Sequence, residues 1–160
     1  MIGLILAFLV PCGDGAEPDA RLPELNRYWA ELSRTVREGD IDGYRATCHK
    51  DAVLVSGTAQ SSHPLAKAIS ERWAQGFADT KAGKIKADVA FRFSRRWGDE
   101  TTAHETGMFH YHTVDAEGQR TDAYVHFEGL LVKDGRWRIL MEYQKSQGTE
   151  TEWNALAGSK

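Results

Sequence analysis

Apolar and polar residues alternate along residues 101–147, and two turn signals interrupt the alternation. The first turn signal is residues 115–119, and the second is the dipeptide Asp134-Gly135. Asp-Gly between alternating segments favours a tight hairpin, because a type I′ turn needs positive φ at its central residues. The pattern therefore predicts an antiparallel meander in the C-terminal part of the chain.

Helical spacing dominates the part of the chain before this meander. Apolar residues three and four apart predict an amphipathic helix that begins near Pro23 and ends at Gly39. Asp40 can cap a second, short helix, and Pro64 can open a third. A brief apolar strand separates the second and third helices, and the period changes to two over residues 85–97, which indicates another strand.

The first turn predicts which side chains of the meander face the core. If residues 115–119 form the loop, Val114 lies opposite Arg120, and each strand's alternate residues share a face. Glu105 then lies on the apolar face, while the histidines of the same strand point to the other side. The expected core face consists of Ala103, Glu105, Gly107, Phe109, Tyr111, Ala123, Val125, Phe127 and Leu131.

The face of the last strand is ambiguous. Extension through the second turn pairs Lys133 with Arg136 and turns Glu142 and Gln144 toward the core. The more apolar set, however, is Trp137, Ile139, Met141 and Tyr143. Either a β-bulge shifts this strand by one residue, or its outer face is also covered, for example by a second subunit. We favour the covered outer face.

Composition is that of an ordinary globular protein. The 160 residues suffice for one domain with a core, and 41% are hydrophobic. The net charge of −3 without a basic run argues against nucleic acid as a partner. Two cysteines cannot form a disulfide framework, and no nucleotide fingerprint or phosphate-binding glycine loop is present, so no cofactor is expected.

The N-terminal residues 1–21 form a signal-like or disordered segment. Residues 2–10 are almost entirely apolar and precede Pro11 and Cys12, which is similar to the end of a secretory signal. We expect an exported protein, periplasmic or secreted, with a cytoplasmic location as the alternative. Residues 9–12 are also similar to a lipobox, so contact with a membrane is expected only if Cys12 is lipidated.

Four short motifs, in this order, resemble those of the SnoaL-like branch of the NTF2-like superfamily, and most closely its DUF4440-type domains. The motifs are residues 39–41 (Gly-Asp-Ile), 51–53 (Asp-Ala-Val), 106–109 (Thr-Gly-Met-Phe) and 134–139 (Asp-Gly-Arg-Trp-Arg-Ile). The resemblance covers residues 22–147 and leaves 148–160 as a polar tail. It implies an α+β, cystatin-like cone, in which a strongly bent, mostly antiparallel sheet wraps around three N-terminal helices. It also implies a pocket between the sheet and the first helix, and a homodimer.

The resemblance implies a small-molecule ligand, and we expect a small apolar or aromatic one bound without clear catalytic groups. Where ketosteroid isomerases of this fold carry their base and their two oxyanion groups, this chain has Ser56, Leu32 and Phe127, so that mechanism is not expected. The residues expected to bind the ligand are Trp29, Trp73, Phe109, Tyr111, Phe127 and Gln144.

The alternative function is a lyase or isomerase that acts by acid–base chemistry. A carboxylate among aromatic residues is desolvated, which raises its pKa and suits it to proton transfer. Glu105 is the candidate for this role, with Glu142 across the cavity and Tyr28 on the first helix assisting. The competing explanation is that Glu105 forms a structural ion pair with Arg95 or Arg138.

The histidines suggest a second site, on the opposite face of the meander. His110 and His112 point the same way from one strand, and His126 lies on that face of the next strand. Three imidazoles on adjacent strands can bind zinc. The register separates His126 from the other two, so we favour scattered histidines on a polar outer face or subunit interface and expect no metal.

Overall fold

Two helices and a tight corner open the fold. The structure is a computed structural model that describes residues 19–157. Helix α1 (Arg21–Glu38) ends at Gly39, whose left-handed backbone (φ 65°) lets its N–H bond to the carbonyls of the last turn. Asp40 accepts a hydrogen bond from the Gly43 N–H and so caps helix α2 (Ile41–Thr47). The predicted helix boundary at Gly39 and Asp40 is confirmed.

The remaining elements alternate between strands and short helices. The third predicted helix is interrupted by a π-helical turn, Ile69–Trp73, which lies between α3 (Leu65–Ala68) and α4 (Ala74–Lys81). No helix among residues 19–157 is long and apolar enough to cross a membrane. The other elements are β1 (Cys48–Ser56), β2 (Ser61–Pro64), α3 (Leu65–Ala68), α4 (Ala74–Lys81), β3 (Lys86–Gly98), β4 (Thr102–Val114), β5 (Arg120–Asp134), β6 (Arg136–Gln147) and α5 (Glu150–Leu156).

The six strands form one mixed sheet in the order β2-β1-β6-β5-β4-β3. Only β1 and β6 are parallel, because the chain crosses over from β1 through the helices and the meander before it returns beside β1. Helix α1 packs on one face of this sheet, against β3 and β6. The hydrophobic core therefore lies between the helices and that face, as expected for the predicted α+β cone.

The β4–β5 hairpin has the predicted register. Val114 pairs with Arg120 and His110 with Tyr124, which confirms the expected loop at residues 115–119. Ala103, Phe127 and Leu131 are buried in the core. The alternate residues of β4 and β5 that face the core are therefore those that the turn geometry predicts.

The last strand changes face within its length. Asp134 pairs directly with Arg136 across Gly135, so the predicted pairing of Lys133 with Arg136 is wrong by one residue. Trp137 and Ile139 therefore face the core near the turn, where both are buried. The register then shifts by one residue between the pairs Leu131↔Ile139 and Leu130↔Met141.

The extra residue in this bulge is Leu140. Beyond it, Glu142 pairs with Gly129 and Gln144 with Phe127, so these two polar residues share the inner face of the sheet. The bulge was the alternative that we did not favour. It explains why the sequence pattern placed both the apolar set and the polar set of β6 residues on the core face. Neither the apolar set nor the polar set faces the core along the whole strand.

Part of the outer face is covered by the chain itself. The predicted polar tail contains α5, which a capping box between Thr149 and Glu152 begins. Trp153 of this helix is buried, and the Arg92 guanidinium of β3 lies 4.1 Å from its ring. The predicted homodimer, the exported location and the role of Cys12 stay predictions, and Cys12 and the signal-like residues 1–18 lie outside the described residues.

The corner at Gly39 yields a stability prediction. A Cβ at this residue would lie 2.4 Å from the Lys81 backbone N and 2.5 Å from the Phe77 carbonyl O, so Gly39→Ala adds a steric clash to the cost of positive φ. Gly83 has the same left-handed backbone but open space around it, which makes Gly83→Ala the matched control. We expect Gly83→Ala to lose about 1–2 kcal/mol of unfolding free energy and Gly39→Ala about 1–3 kcal/mol more. Urea denaturation measures both, and equal losses would contradict the clash.

Candidate functional site

A cavity of about 370 Å³ lies between the helices and the inner face of the sheet. Its lining is mostly apolar and aromatic; its polar members include Glu142 and Gln144 of β6 and Arg72 and Thr80 of the helices. All six residues predicted to bind a ligand, and Glu142, lie in this lining. The lining residues are Trp29, Leu32, Val36, Tyr44, Arg72, Trp73, Gly76, Phe77, Thr80, Ala87, Val89, Phe91, Phe109, Tyr111, Ala123, Val125, Phe127, Ile139, Glu142 and Gln144.

Trp29 of α1 organises the aromatic wall of the cavity. Its ring centroid lies 4.5 Å from that of Phe91, 5.4 Å from that of Phe93 and 5.7 Å from that of Phe127. Phe109 packs edge-to-face on Phe127, at 5.8 Å between centroids. Such offset and edge-to-face contacts favour a fixed arrangement of the rings, so this wall presents a preformed aromatic surface.

Glu105 does not open into the cavity. Its side chain is fully buried, and Arg96 binds both carboxylate oxygens, with Nε 2.7 Å from Oε1 and an Nη 2.9 Å from Oε2. The indole N–H of Trp29 donates a third hydrogen bond to the same carboxylate. The expectation of an open acid at this residue is therefore wrong, and the geometry is that of a closed structural network.

The ion-pair partner also differs from the two arginines that the sequence suggested. A register shift between Phe93 and Arg95 makes Ser94 the extra residue of a β-bulge, although its hydroxyl still donates a hydrogen bond to the Thr106 carbonyl of β4. Beyond this bulge Arg96 pairs with Glu105, so Arg96, rather than Arg95, shares the face of the acid. Arg138 instead lies 3.4 Å from Asp134 at the end of the β5–β6 hairpin.

Tyr28 does not line the cavity. It is buried next to Trp29 in α1, and its ring packs edge-to-face against the Trp29 ring, at 5.0 Å between centroids. Burial raises the pKa of its hydroxyl well above the ordinary value. Tyr28 is therefore a core residue outside this cavity, and its expected role as an assisting catalytic group stays a prediction that the cavity lining does not support.

Glu142 is the acid that reaches the cavity. The Nε2 amide of Gln144 donates a hydrogen bond of 2.7 Å to Oε1 of Glu142. Within residues 19–157 no Lys, Arg or His nitrogen lies within 4.0 Å of this carboxylate. Loss of water around the group raises its pKa, and the Gln144 hydrogen bond only partly opposes this shift. Glu142 is therefore disposed to carry a proton.

Helices α2 and α4 contribute residues that the sequence reasoning did not assign to the site. The Tyr44 ring packs edge-to-face on Trp73 at 5.9 Å and on Phe77 at 5.3 Å. Gly76 leaves a bare position on α4, where a Cβ would meet no atom within 4 Å. Tyr44 and Phe77 belonged to recognisable apolar stripes, but Gly76 carried no signal, because the π-helical turn that precedes it was not predictable.

The histidines lie on the other side of the sheet. His110 and His112 lie beside Asp122 of β5. His126 instead has its Nε2 3.4 Å from a carboxylate oxygen of Glu152, on α5. His126 therefore does not belong to the same cluster as His110 and His112, and the hypothesis that the three histidines bind one ion is wrong.

Solved structures match this architecture closely. A conserved protein from Planctomyces limnophilus aligns over 78% of this chain and 94% of its own, with a TM-score of 0.65 and 10% identity. An NTF2-like superfamily protein from Salmonella enterica serovar Typhimurium aligns over 81% and 92%, with a TM-score of 0.60 and 11% identity. This chain has the NTF2-like fold. No protein-family model and no curated protein matches the sequence.

A ketosteroid isomerase-like protein from Erwinia carotovora atroseptica shares the NTF2-like fold, over 82% of this chain and 98% of its own, with a TM-score of 0.54 and 15% identity. Identities this low establish the fold alone. Of the three residues that replace the isomerase groups, Leu32 and Phe127 line the cavity and Ser56 does not. The NTF2-like cavity of this chain is therefore apolar at two of those places.

The network around Glu105 should support the NTF2-like fold rather than any reaction. Glu105→Ala leaves the largely buried Arg96 guanidinium and the Trp29 N–H without their partner, and we expect a loss of about 3 kcal/mol of unfolding free energy. Glu31→Ala removes an exposed ion pair of α1 and should cost at most about 1 kcal/mol. Urea denaturation compares them, and equal losses would contradict the structural role.

The raised pKa of Glu142 predicts a pH dependence of stability. A carboxyl group whose pKa is higher in the folded state stabilises the fold while it is protonated, and this contribution is lost as the pH rises through the raised pKa. Glu142→Gln, which stays neutral, should therefore unfold at a higher temperature than the parent above neutral pH, with the difference shrinking toward mildly acidic pH.

The matched control for this experiment is Glu31→Gln, because Arg34 lowers the pKa of Glu31 and the sign is opposite. That variant should be no more stable than the parent at alkaline pH. Thermal unfolding followed by circular dichroism across pH measures both variants. A Glu142→Gln profile parallel to that of the parent would contradict the desolvated carboxyl group.

Proposed function

We propose that this chain binds one small, neutral, largely aromatic molecule in the cavity, with Glu142 and Gln144 holding its polar end. The observation that carries this proposal is a single acid–amide pair in an otherwise mostly apolar, aromatic-walled cavity. Ligand sites typically combine such a wall with a few polar groups that fix orientation. The NTF2-like fold of the solved neighbours is compatible with this role but does not identify the ligand.

The size of the cavity limits the ligand. A volume of about 370 Å³ lies toward the small end of ligand pockets, so one compact ring system fits better than a long chain. The rings of Trp29, Phe91 and Phe127 offer flat surfaces against which aromatic rings can stack or pack edge-on. A planar ligand therefore uses the wall better than a flexible aliphatic one.

The polar end selects against negative charge. Gln144 occupies one carboxyl oxygen of Glu142, and no residue from 19 to 157 donates a hydrogen bond to the other. When protonated, this group can donate to a carbonyl or hydroxyl oxygen of a ligand. When ionised, it repels an anion in surroundings of low dielectric. We therefore expect a neutral ligand with one oxygen or N–H group at this end.

Proton transfer is the second candidate function. A carboxyl group with a raised pKa inside a cavity can pass a proton to or from a bound molecule, and Glu142 replaces Glu105 as the group for such lyase or isomerase chemistry. Recovery and chemical identification of a bound molecule after incubation with the parent and with Glu142→Gln separates the two candidates. Binding alone returns it unchanged from both proteins.

Filling the bare position on α4 tests the proposed binding. Gly76→Phe places a ring where a Cβ meets no atom within 4 Å, and replacing a helical glycine should not harm the fold. We expect it to reduce binding of the neutral fluorophore N-phenyl-naphthylamine roughly tenfold or more, because the ring occupies ligand space. Fluorescence titration measures the affinity. Ala78→Phe, at an exposed residue of the same helix, is the control and should bind like the parent.

Charge selection gives the second arm of this experiment. Anilinonaphthalene sulfonate has the same ring skeleton with an added anionic group, so above neutral pH it should bind more weakly than the neutral probe. The difference should shrink in Glu142→Gln. Equal affinity of the parent and Gly76→Phe for the neutral probe would refute binding in this cavity.

A further inference from the structure

A compact group of metal-ligating side chains lies outside the cavity, on the outer face of the sheet. His110 and His112 extend from β4, and Asp122 pairs directly with His112 from β5. One ligating atom of each residue lies within 4.8 Å of the others. His110 Nε2 and Asp122 Oδ1 are already 2.6 Å apart.

This spacing is close to that of a coordinated ion. Bonds of about 2.0–2.2 Å in a tetrahedron separate neighbouring ligand atoms by about 3.3–3.6 Å, so small side-chain rotations would bring the three groups onto one centre. Two imidazoles and one carboxylate form a donor set that zinc accepts, with the fourth position left for water. The backbone beneath them is held by ladder pairing on both sides, to β3 and to β5.

The surroundings hold the imidazoles in place. The His110 ring stacks on Tyr124 at 4.3 Å and lies 5.6 Å from the buried Trp153 of α5. His112 stacks on His110 at 5.4 Å. A ligand whose ring is fixed by packing loses less side-chain entropy when it binds an ion.

One residue opposes an ion at this place. The Arg120 guanidinium binds both carboxylate oxygens of Asp122, at 2.8–3.0 Å. Arg120 is half exposed, so its side chain can move into solvent when an ion takes its place.

We propose that His110, His112 and Asp122 bind a divalent transition-metal ion, zinc by their donor set, in competition with Arg120. The site is separate from the cavity, because these side chains and the cavity lining lie on opposite faces of β4 and β5. The proposal departs from the expectation of no metal because Asp122 is the third ligand in place of His126. It does not depend on the proposed ligand in the cavity.

Zinc titration of the chelator-treated protein tests this proposal. Isothermal titration calorimetry with zinc chloride should show one site for each chain. Asp122→Asn and His112→Ala should each weaken it roughly tenfold or more, since even indirect partners of metal sites contribute this much. His63→Ala, at an exposed residue of β2, should leave the affinity unchanged. Thermal unfolding without zinc shows whether each variant is folded.

Arg120→Ala supplies the opposite change. Because the guanidinium competes for Asp122, its removal should tighten zinc binding, whereas every ligand variant weakens it. A second readout is the unfolding temperature, which zinc should raise in the parent and in Arg120→Ala but not in His112→Ala. No binding by the parent, or an affinity that Asp122→Asn and Arg120→Ala both leave unchanged, would overturn the proposal.

Discussion

The buried hydrogen-bond network of Glu105, Arg96 and Trp29 is the interaction on which the rest of the structure depends. It joins α1 to β3 and β4, and each of its charged atoms is matched by a partner. A buried carboxylate without such partners would cost several kcal/mol. Because the indole N–H is directed to Glu105, the Trp29 ring is held among the phenylalanines that line the cavity. A group that looked catalytic in the sequence thus supports the wall of the site.

The same network divides the acids of the inner face into two kinds. Glu105 is buried and neutralised by Arg96, whereas Glu142 shares the cavity with an amide and aromatic rings. Low dielectric has opposite consequences for the two: it strengthens the ion pair of the first and raises the pKa of the second. Glu142 is therefore the acid of the inner face that has no ion-pair partner within residues 19–157.

The boundary between α1 and α2, the strands β1 and β3 to β6, and the β4–β5 register could be predicted from local signals, whereas β2 was not predicted. Gly39, Asp40 and the loop at residues 115–119 each specify backbone geometry through their own conformational preferences. The β-bulge at Ser94 was not predicted, and a bulge in β6 was only one of two alternatives, because nothing in the types of Ser94 and Leu140 requires an extra residue. These bulges decided which arginine meets Glu105 and where β6 turns its polar residues inward.

Several cavity-lining residues could be predicted from the sequence because they lie on regular strands and helices. The inward positions of Phe109, Tyr111 and Phe127 follow from the alternation of faces in β4 and β5. The inward position of Trp29 follows from helical spacing in α1. Gly76 depends on the phase of a helix after a π-helical turn, which sequence spacing does not reveal. Local rules therefore succeed where an element is regular and fail beyond an inserted residue.

The bulge at Leu140 determines which residues of β6 face the cavity. If β6 paired regularly through Leu140, without the bulge, Met141 and Tyr143 instead of Glu142 and Gln144 would face the cavity. In this architecture, the presence or absence of one β-bulge exchanges a polar cavity surface for an apolar one.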